Sequence, residues 1–213
     1  MATTKSDILQ RVSSNVNGTA TVPSGDELSL WSDYLEDANQ EWPNAFDFQV
    51  LIQTYKTTML QSGTSVALPA DFKEKFAGLI DIEGALFEEY SRQEATRTTG
   101  NFVTWGGNQA DGYWLNVSAA LYSTSYVHAP YHSRPTSLST LTSISPIPNP
   151  EFLIDRVSEK ALRQRGQPEY ADFQDKADLL LQRMVANEVS TDIGRNNQIR
   201  TEAELQNFTI GDD

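Results

Sequence analysis

Two histidines are the residues of this chain best suited to metal binding or acid–base chemistry. His128 and His132 are its only histidines, and it has no cysteine. On a helix, a spacing of four residues would put both on one face, but Pro130 and Pro135 disfavour a helix here. On an extended strand the two imidazoles would also share a face, about 13 Å apart, which is too far for one metal ion. We therefore expect neither a histidine metal site nor a catalytic triad.

Acidic and aromatic side chains offer two further kinds of site. Adjacent carboxylates such as Glu88 and Glu89 could serve glycoside hydrolysis, but neighbours on a strand point to opposite faces. Aromatic side chains could form a stacking platform for a sugar or a base, or could fill a core or an interface; the candidates are Trp105, Trp114, Tyr122 and Tyr126. The sequence contains no phosphate-binding loop, dinucleotide-binding motif or calcium loop. It therefore predicts no enzyme and no cofactor.

The composition indicates a protein with a modest core and an acidic surface. Of 213 residues, 38% are hydrophobic, and the formal net charge is −13. The Trp, Tyr and Phe residues need burial and argue against disorder, while the low apolar content suits a subunit that assembles with its own copies. Such a surface does not hold nucleic acid, because binding to phosphates requires clustered Lys and Arg. The acidic charge is explained by solubility, or alternatively by a surface past which DNA must slide without binding. No apolar run predicts a signal peptide or a membrane span.

Four helices are predicted, two near each end of the chain. Apolar periodicity and end signals place them at residues 4–17, 25–42, 150–165 and 168–188. Thr4 and Asp7 suit a capping box for the first helix, and a second capping box begins at Ser24. Asn149 is expected to cap the third helix. Because only a short connection separates the last two helices, they should pack as an antiparallel hairpin.

The middle of the chain, about residues 54–131, is predicted to form a small antiparallel sheet. Residues 54–60 and 64–68 flank a turn and should pair as a hairpin. Alternating apolar and polar residues make 113–119 a half-buried strand, and 126–131 is its expected partner.

Three details of this middle region depend on weaker signals. Residues 46–60 and 86–96 each fit a helix as well as a strand. Residues 102–105 fit a strand that ends at a Gly-Gly-Asn turn. Pro130 predicts an edge position for the strand that contains it, because proline cannot donate a ladder hydrogen bond.

The C-terminal residues 191–213 lose the apolar stripe and become acidic, so in isolation we expect them to be disordered. The predicted fold is therefore α+β. A helical bundle of N-terminal helices and a C-terminal helix hairpin carries a small antiparallel β-sheet insertion. The domain spans residues 1–190, and residues 191–213 form an extended C-terminal arm.

The order of motifs along residues 5–190 resembles that of the head–tail adaptor proteins of tailed bacteriophages, also called connector or neck proteins. The similar segments read, in chain order, WSDYL at 31–35, WP at 42–43, GTSVALPADF at 63–72, GNQADGY at 107–113, RPTSL at 134–138 and PNP at 148–150. The final helix pair follows them. Each motif is weak by itself, and the specificity of the resemblance comes from their shared order.

The resemblance implies a structural virion protein without enzymatic activity or cofactor. Such proteins form a homo-oligomeric ring, typically of about twelve subunits, beneath the portal at the head–tail junction. They are assembled in the host cytoplasm, and DNA passes through the ring during packaging and ejection. The expected partners are further copies of the chain, the portal protein and downstream neck or tail proteins, with no membrane.

In this class the C-terminal segment commonly reaches toward the portal. The matching portal-contact candidates here are Arg195, Asn196, Asn197, Arg200, Leu205, Phe208 and Ile210. The β part is larger than in the shorter members of the class. A tail-completion protein, or another structural component of the tail or neck, therefore remains an alternative. A carbohydrate-binding module on the aromatic sheet is a third interpretation.

Overall fold

The computed structural model describes residues 3–58, 65–75, 80–82, 85–89, 102–108, 110–117 and 126–207. The chain forms two compact units. Met1–Val50 and Thr136–Asp213 build the first unit, and Leu51–Pro135 builds the second. The first unit is helical and the second is a sheet, so the α+β class and the insertion of a β part between two helical segments are confirmed.

The helices of the first unit are α1 (Lys5–Asn17), α2 (Gly25–Glu41), α3 (Glu151–Gln164) and α4 (Tyr170–Asn207). The capping box of α1 is confirmed: the Asp7 N–H donates to Thr4 Oγ1 at 3.2 Å, and the Thr4 N–H donates to Asp7 Oδ2 at 2.9 Å. The capping box of α2 is wrong, because Ser24 occupies the cap position without a side-chain hydrogen bond. The cap of α3 lies one residue later than predicted, because Pro150 occupies the cap position and the helix begins at Glu151. Asn149 still contributes, since its Oδ1 accepts the Glu151 N–H at 3.1 Å.

The core of the first unit lies between α1, α2 and α3. Its fully buried side chains recur at the helical spacings read from the sequence, and they include Ile8, Leu9, Val12, Trp31, Leu35, Phe152, Leu153 and Val157. A short 3₁₀ turn, Trp42–Asn44, follows α2. Trp42 packs edge-on against Phe48 with ring centroids 4.9 Å apart. Trp31, Leu35 and Trp42, the apolar residues that recur at helical spacing along α2 and the turn after it, therefore belong to the core.

The last helix is longer than predicted. After Gly166, which has a left-handed φ of 68°, α4 runs for 38 residues to Asn207. The prediction of a helix ending at 188, followed by a disordered arm, is wrong for residues 191–207, whose backbone is helical. This stretch contains no proline, and adding residues to an existing helix costs far less than starting one. Residues 208–213 lie outside the described part of the chain.

The second unit is one mixed sheet. Its strands are β1 (Ile52–Thr58), β2 (Ser65–Ala67), β3 (Phe72–Lys75), β4 (Ile80–Ile82), β5 (Ala85–Glu89), β6 (Phe102–Asn108), β7 (Gly112–Val117) and β8 (Tyr126–Ser133). Their order is β1-β8-β4-β5-β6-β7-β2, and β3 also pairs with β8. All described pairings are antiparallel except that of β5 with β6. In the ambiguous segments, a 3₁₀ turn at Gln49–Leu51 precedes β1, and residues 52–58 and 86–89 are strands. Residues 59–60 and 90–96 lie outside the described part of the chain.

The predicted strand partners are wrong although the strands themselves are present. β1 pairs with β8 and β2 pairs with β7, so 54–60 and 64–68 do not form a hairpin with each other. β7 pairs with β6 and β2, not with 126–131. Pro130 lies on the interior strand β8, between the residues that pair with β4 and those that pair with β3. A proline is tolerated there because residue 130 has no partner on that side of β8 to which it would have to donate a hydrogen bond.

The predicted Gly-Gly-Asn turn is also displaced. Gly106, Gly107 and Asn108 belong to β6, and the turn lies after Asn108, before β7 begins at Gly112. There Asn108 Oδ1 accepts the backbone N–H groups of Ala110 and Asp111 at 2.8 and 2.9 Å. This side chain stabilises the tight connection between β6 and β7, which together form the clearest hairpin of the unit.

Candidate functional site

The residues first considered for catalysis lie on two strands of the second unit, β8 and β5. His128 and His132 both lie on β8, and His132 is buried. Glu88 and Glu89 are neighbours on β5, where they pair with successive residues of β6 and so alternate between faces. Among the described residues, no group of three or more His, Asp or Glu side chains is arranged to hold a metal ion.

The aromatic candidates lie on two faces of the sheet. Trp105 pairs with Leu115, whereas Trp114 pairs with the neighbouring Gly106 and so points to the opposite face. A Cβ atom on Gly106 would lie only 1.9 Å from the Trp114 ring, so the indole rests directly on this glycine. Tyr122 lies outside the described residues, and Tyr126 is the first residue of β8. Trp105 and Trp114 therefore cannot form one stacking platform.

On its own face, Trp105 belongs to a packed aromatic cluster centred on Phe72. Phe72 is buried, and its ring centroid lies 5.7 Å from that of Trp105, 4.9 Å from Tyr113 and 5.6 Å from Tyr131. Burial, together with the nearby Asp71 carboxylate that accepts the Tyr131 hydroxyl at 3.1 Å, raises the pKa of Tyr131 to about 12. These rings pack on the Phe72 ring, which favours a role in the core over stacking on a ligand.

The portal-contact candidates lie at the C-terminal end of the chain. Arg195, Asn196, Asn197, Arg200 and Leu205 are on the last part of α4, and Phe208 and Ile210 lie outside the described residues. Within the helix, the spacing of four puts Asn196 and Arg200 on one face, while Arg195 and Asn197 are about 200° apart around the axis. The candidates therefore surround the helix instead of forming one stripe.

The part of α4 that precedes these candidates packs on α3 through few apolar side chains. Between Tyr170 and residue 190, the buried residues are Ala177 and Met184, while Leu179 and Val189 are exposed. A groove of about 480 Å³ runs along this part of the helix, where Leu180 and Met184 face the Pro148 segment beside the charged Arg183 and Glu188. The mixed lining suits a protein surface better than a small apolar ligand.

A buried charge cluster joins α4 to α2 and α3. Arg156 of α3, only 9% exposed, places Nη2 at 2.7 Å from Asp178 of α4 and 2.9 Å from Glu41 of α2. Its Nη1 lies 3.0 Å from the buried Glu159, which also accepts Arg163 Nη2 at 2.9 Å. Burial by itself would lower the pKa of Arg156, but the hydrogen bonds that it donates to Asp178 and Glu159, with the charge of Glu41, raise the pKa overall.

The role of Arg156 was not predicted from the sequence, although its position in the helix indicates a buried charge. The residue lies four after Phe152 and directly before Val157, within the stripe that α3 buries. A charged residue on a buried helical face must be paired, so an acidic partner on a neighbouring helix was to be expected.

Comparison with known proteins gives no family for this chain. No protein-family model matches it, and no curated protein matches it. Within the described residues, no helix combines the length and the apolar character needed to cross a bilayer.

Proposed function

We propose that this chain is a structural virion protein that forms a ring beneath the portal, joins the phage head to the tail and lets DNA pass during packaging and ejection. The proposal rests on the ordered motifs that resemble head–tail adaptors. The division of the chain is consistent with it, since a helical unit built from both ends of the chain carries an inserted sheet.

The structural observation that best supports the proposal is the length of α4. This helix has 38 residues, whereas its hairpin partner α3 has 14. Beyond Met184, its last buried residue within the described side chains, the helix continues for roughly 35 Å at 1.5 Å per residue. From residue 191 the sequence has no apolar stripe, and a helix that is polar on all sides is usually stabilised by a binding partner.

The charge of the chain supports a passage for DNA without tight binding. A net charge of −13 opposes the phosphates of a duplex, which carries one charge per about 1.7 Å. A ring of such subunits would repel the duplex on all sides, so DNA would slide through the ring and would not be held.

The decisive experiment is electron microscopy of the intact particle neck. We expect density for this chain as a closed ring directly below the portal, on the path by which DNA leaves the head. Density anywhere else would overturn the proposal. A ring further down the same path, not in contact with the portal, would instead support the tail-completion alternative.

The role of the arm can be tested separately with purified portal protein. The double variant Arg195→Ala, Arg200→Ala should lose most of the binding to portal. Arg183→Ala, which removes an exposed arginine earlier on the same helix, should bind like the unmodified chain. Equal binding by all three proteins would exclude Arg195 and Arg200 as portal contacts.

The carbohydrate-binding alternative has less support, because Trp105 and Trp114 point to opposite faces of the β6–β7 hairpin. A glycan screen with Trp105→Ala and Trp114→Ala would test it. Glycan binding that is lost in either variant would favour this alternative over the ring.

A further inference from the structure

Apolar and charged contacts both attach α4 to the rest of the first unit. α3 buries nine residues, whereas the described side chains of α4 include two buried ones, Ala177 and Met184. Phe173, Leu180 and Leu181 are partly buried and add apolar contact. Ion pairs and hydrogen bonds supply a further part of the attachment.

Those contacts converge on the guanidinium of Arg156. One nitrogen atom, Nη2, is shared between Asp178 of α4 and Glu41 of α2, at 2.7 and 2.9 Å. Nearby, Arg163 Nη2 donates to Gln174 of α4 at 2.8 Å. If α4 detaches, Arg156 keeps Glu159 and Glu41 but loses Asp178, its shortest contact. Because weakening the pairing of a buried guanidinium is unfavourable, this contact favours the docked position of α4.

The carboxylates of this cluster are accessible from solvent, although the arginine is not. The side chains of Asp178 and Glu41 are 47% and 39% exposed, against 11% for Arg156. Salt, or a cationic group of a partner, can therefore compete for the carboxylates without entering the core.

We propose that the Arg156 cluster is an electrostatic latch that determines whether α4 is docked on α3 or detached from it. When Asp178 pairs with Arg156, α4 lies along α3 and its direction is fixed. When the pair is broken, α4 leaves the surface of α3 while the core of α1, α2 and α3 stays folded. The latch is a property of the isolated chain and does not depend on the ring proposed above.

Amide hydrogen exchange of the full chain tests the latch, with peptides that cover α4 compared with peptides that cover α1, α2 and α3. Asp178→Asn should speed exchange in residues 170–190 by roughly tenfold, the factor that corresponds to about 1.4 kcal/mol, and should leave α1–α3 unchanged. Raising the salt concentration to about 1 M, where the screening length falls to about 3 Å, should have the same selective effect on the unmodified chain.

Asp175→Asn is the matched control, because it removes the same charge from an exposed position of α4. It should leave the exchange of α4 unchanged. Glu41→Gln provides a second variant outside α4: it removes the carboxylate that shares Nη2 with Asp178, so it should not speed the exchange of α4. Equal exchange in the Asp178 and Asp175 variants would overturn the latch. So would a loss of protection in all four helices together, because Arg156 would then only stabilise the whole unit.

Discussion

Replacing Leu35 by alanine should lower the free energy of unfolding of the helical unit by about 3 kcal/mol. Leu35 lies on α2 and is 0% exposed. The substitution removes three carbon atoms, which at about 0.8 kcal/mol for each buried methylene accounts for roughly 2.4 kcal/mol. The cavity adds to this loss, because the side chains around it can collapse only in part.

Leu179→Ala is the matched control, because it makes the same chemical change at a position of α4 that is 47% exposed. It should change the free energy of unfolding by less than about 0.5 kcal/mol. Urea denaturation followed by the helical circular dichroism signal, which comes from the first unit, measures both variants. If the two variants shift the midpoint equally, Leu35 does not belong to a tightly packed core and the assignment of that core is wrong.

Three further predictions concern a close contact and two titrating groups. Gly106→Ala should destabilise the sheet unit by at least about 2 kcal/mol, because its Cβ would meet the Trp114 ring at 1.9 Å; thermal unfolding followed by tryptophan fluorescence measures this. Thr4, which caps α1, donates hydrogen bonds to Asp7 and lowers its pKa from 3.8. The stability that the Asp7 carboxylate contributes is therefore present above pH 3.8 and is lost as pH falls through the lowered pKa. Asp7→Asn should therefore unfold at less urea than the unmodified chain at pH 7, and the difference should shrink as pH falls below 3.8. Burial and the Asp71 carboxylate raise the pKa of Tyr131 to about 12, so the stability it contributes is complete below about pH 10 and is lost as pH rises through 12. Tyr131→Phe should abolish that loss in alkaline denaturation, and an unchanged pH profile would refute the assignment.

Parts of the fold that depend on neighbouring residues were predictable. The positions of α1, α2 and α3 follow from apolar residues three and four apart, and the side chains that this spacing selects, such as Trp31 and Leu35, are buried. The cap of α1 follows from two residues within one turn. Alternation identified β7, because its side chains must point to opposite faces whatever strand lies beside it.

The sequence did not predict which strands pair. Residues 54–60 and 64–68 looked like a hairpin because they are neighbours in sequence, yet each pairs with a strand more than forty residues away. Pairing depends on the burial of whole faces of the sheet, and a short turn gives only a weak preference that tertiary packing overrides. The same holds for Pro130, whose tolerance on an interior strand depends on where two other strands end.

The sequence by itself determined that this chain has helices at both ends around a β insertion, because helical and strand periodicities are local properties. Only the tertiary structure decided that Trp105 and Trp114 lie on different faces, and that the buried Arg156 pairs with acids from two other helices. Both depend on groups that are distant in sequence and adjacent in space. The cost of burying a charge or an aromatic ring is fixed by the surrounding groups, and local sequence does not contain them.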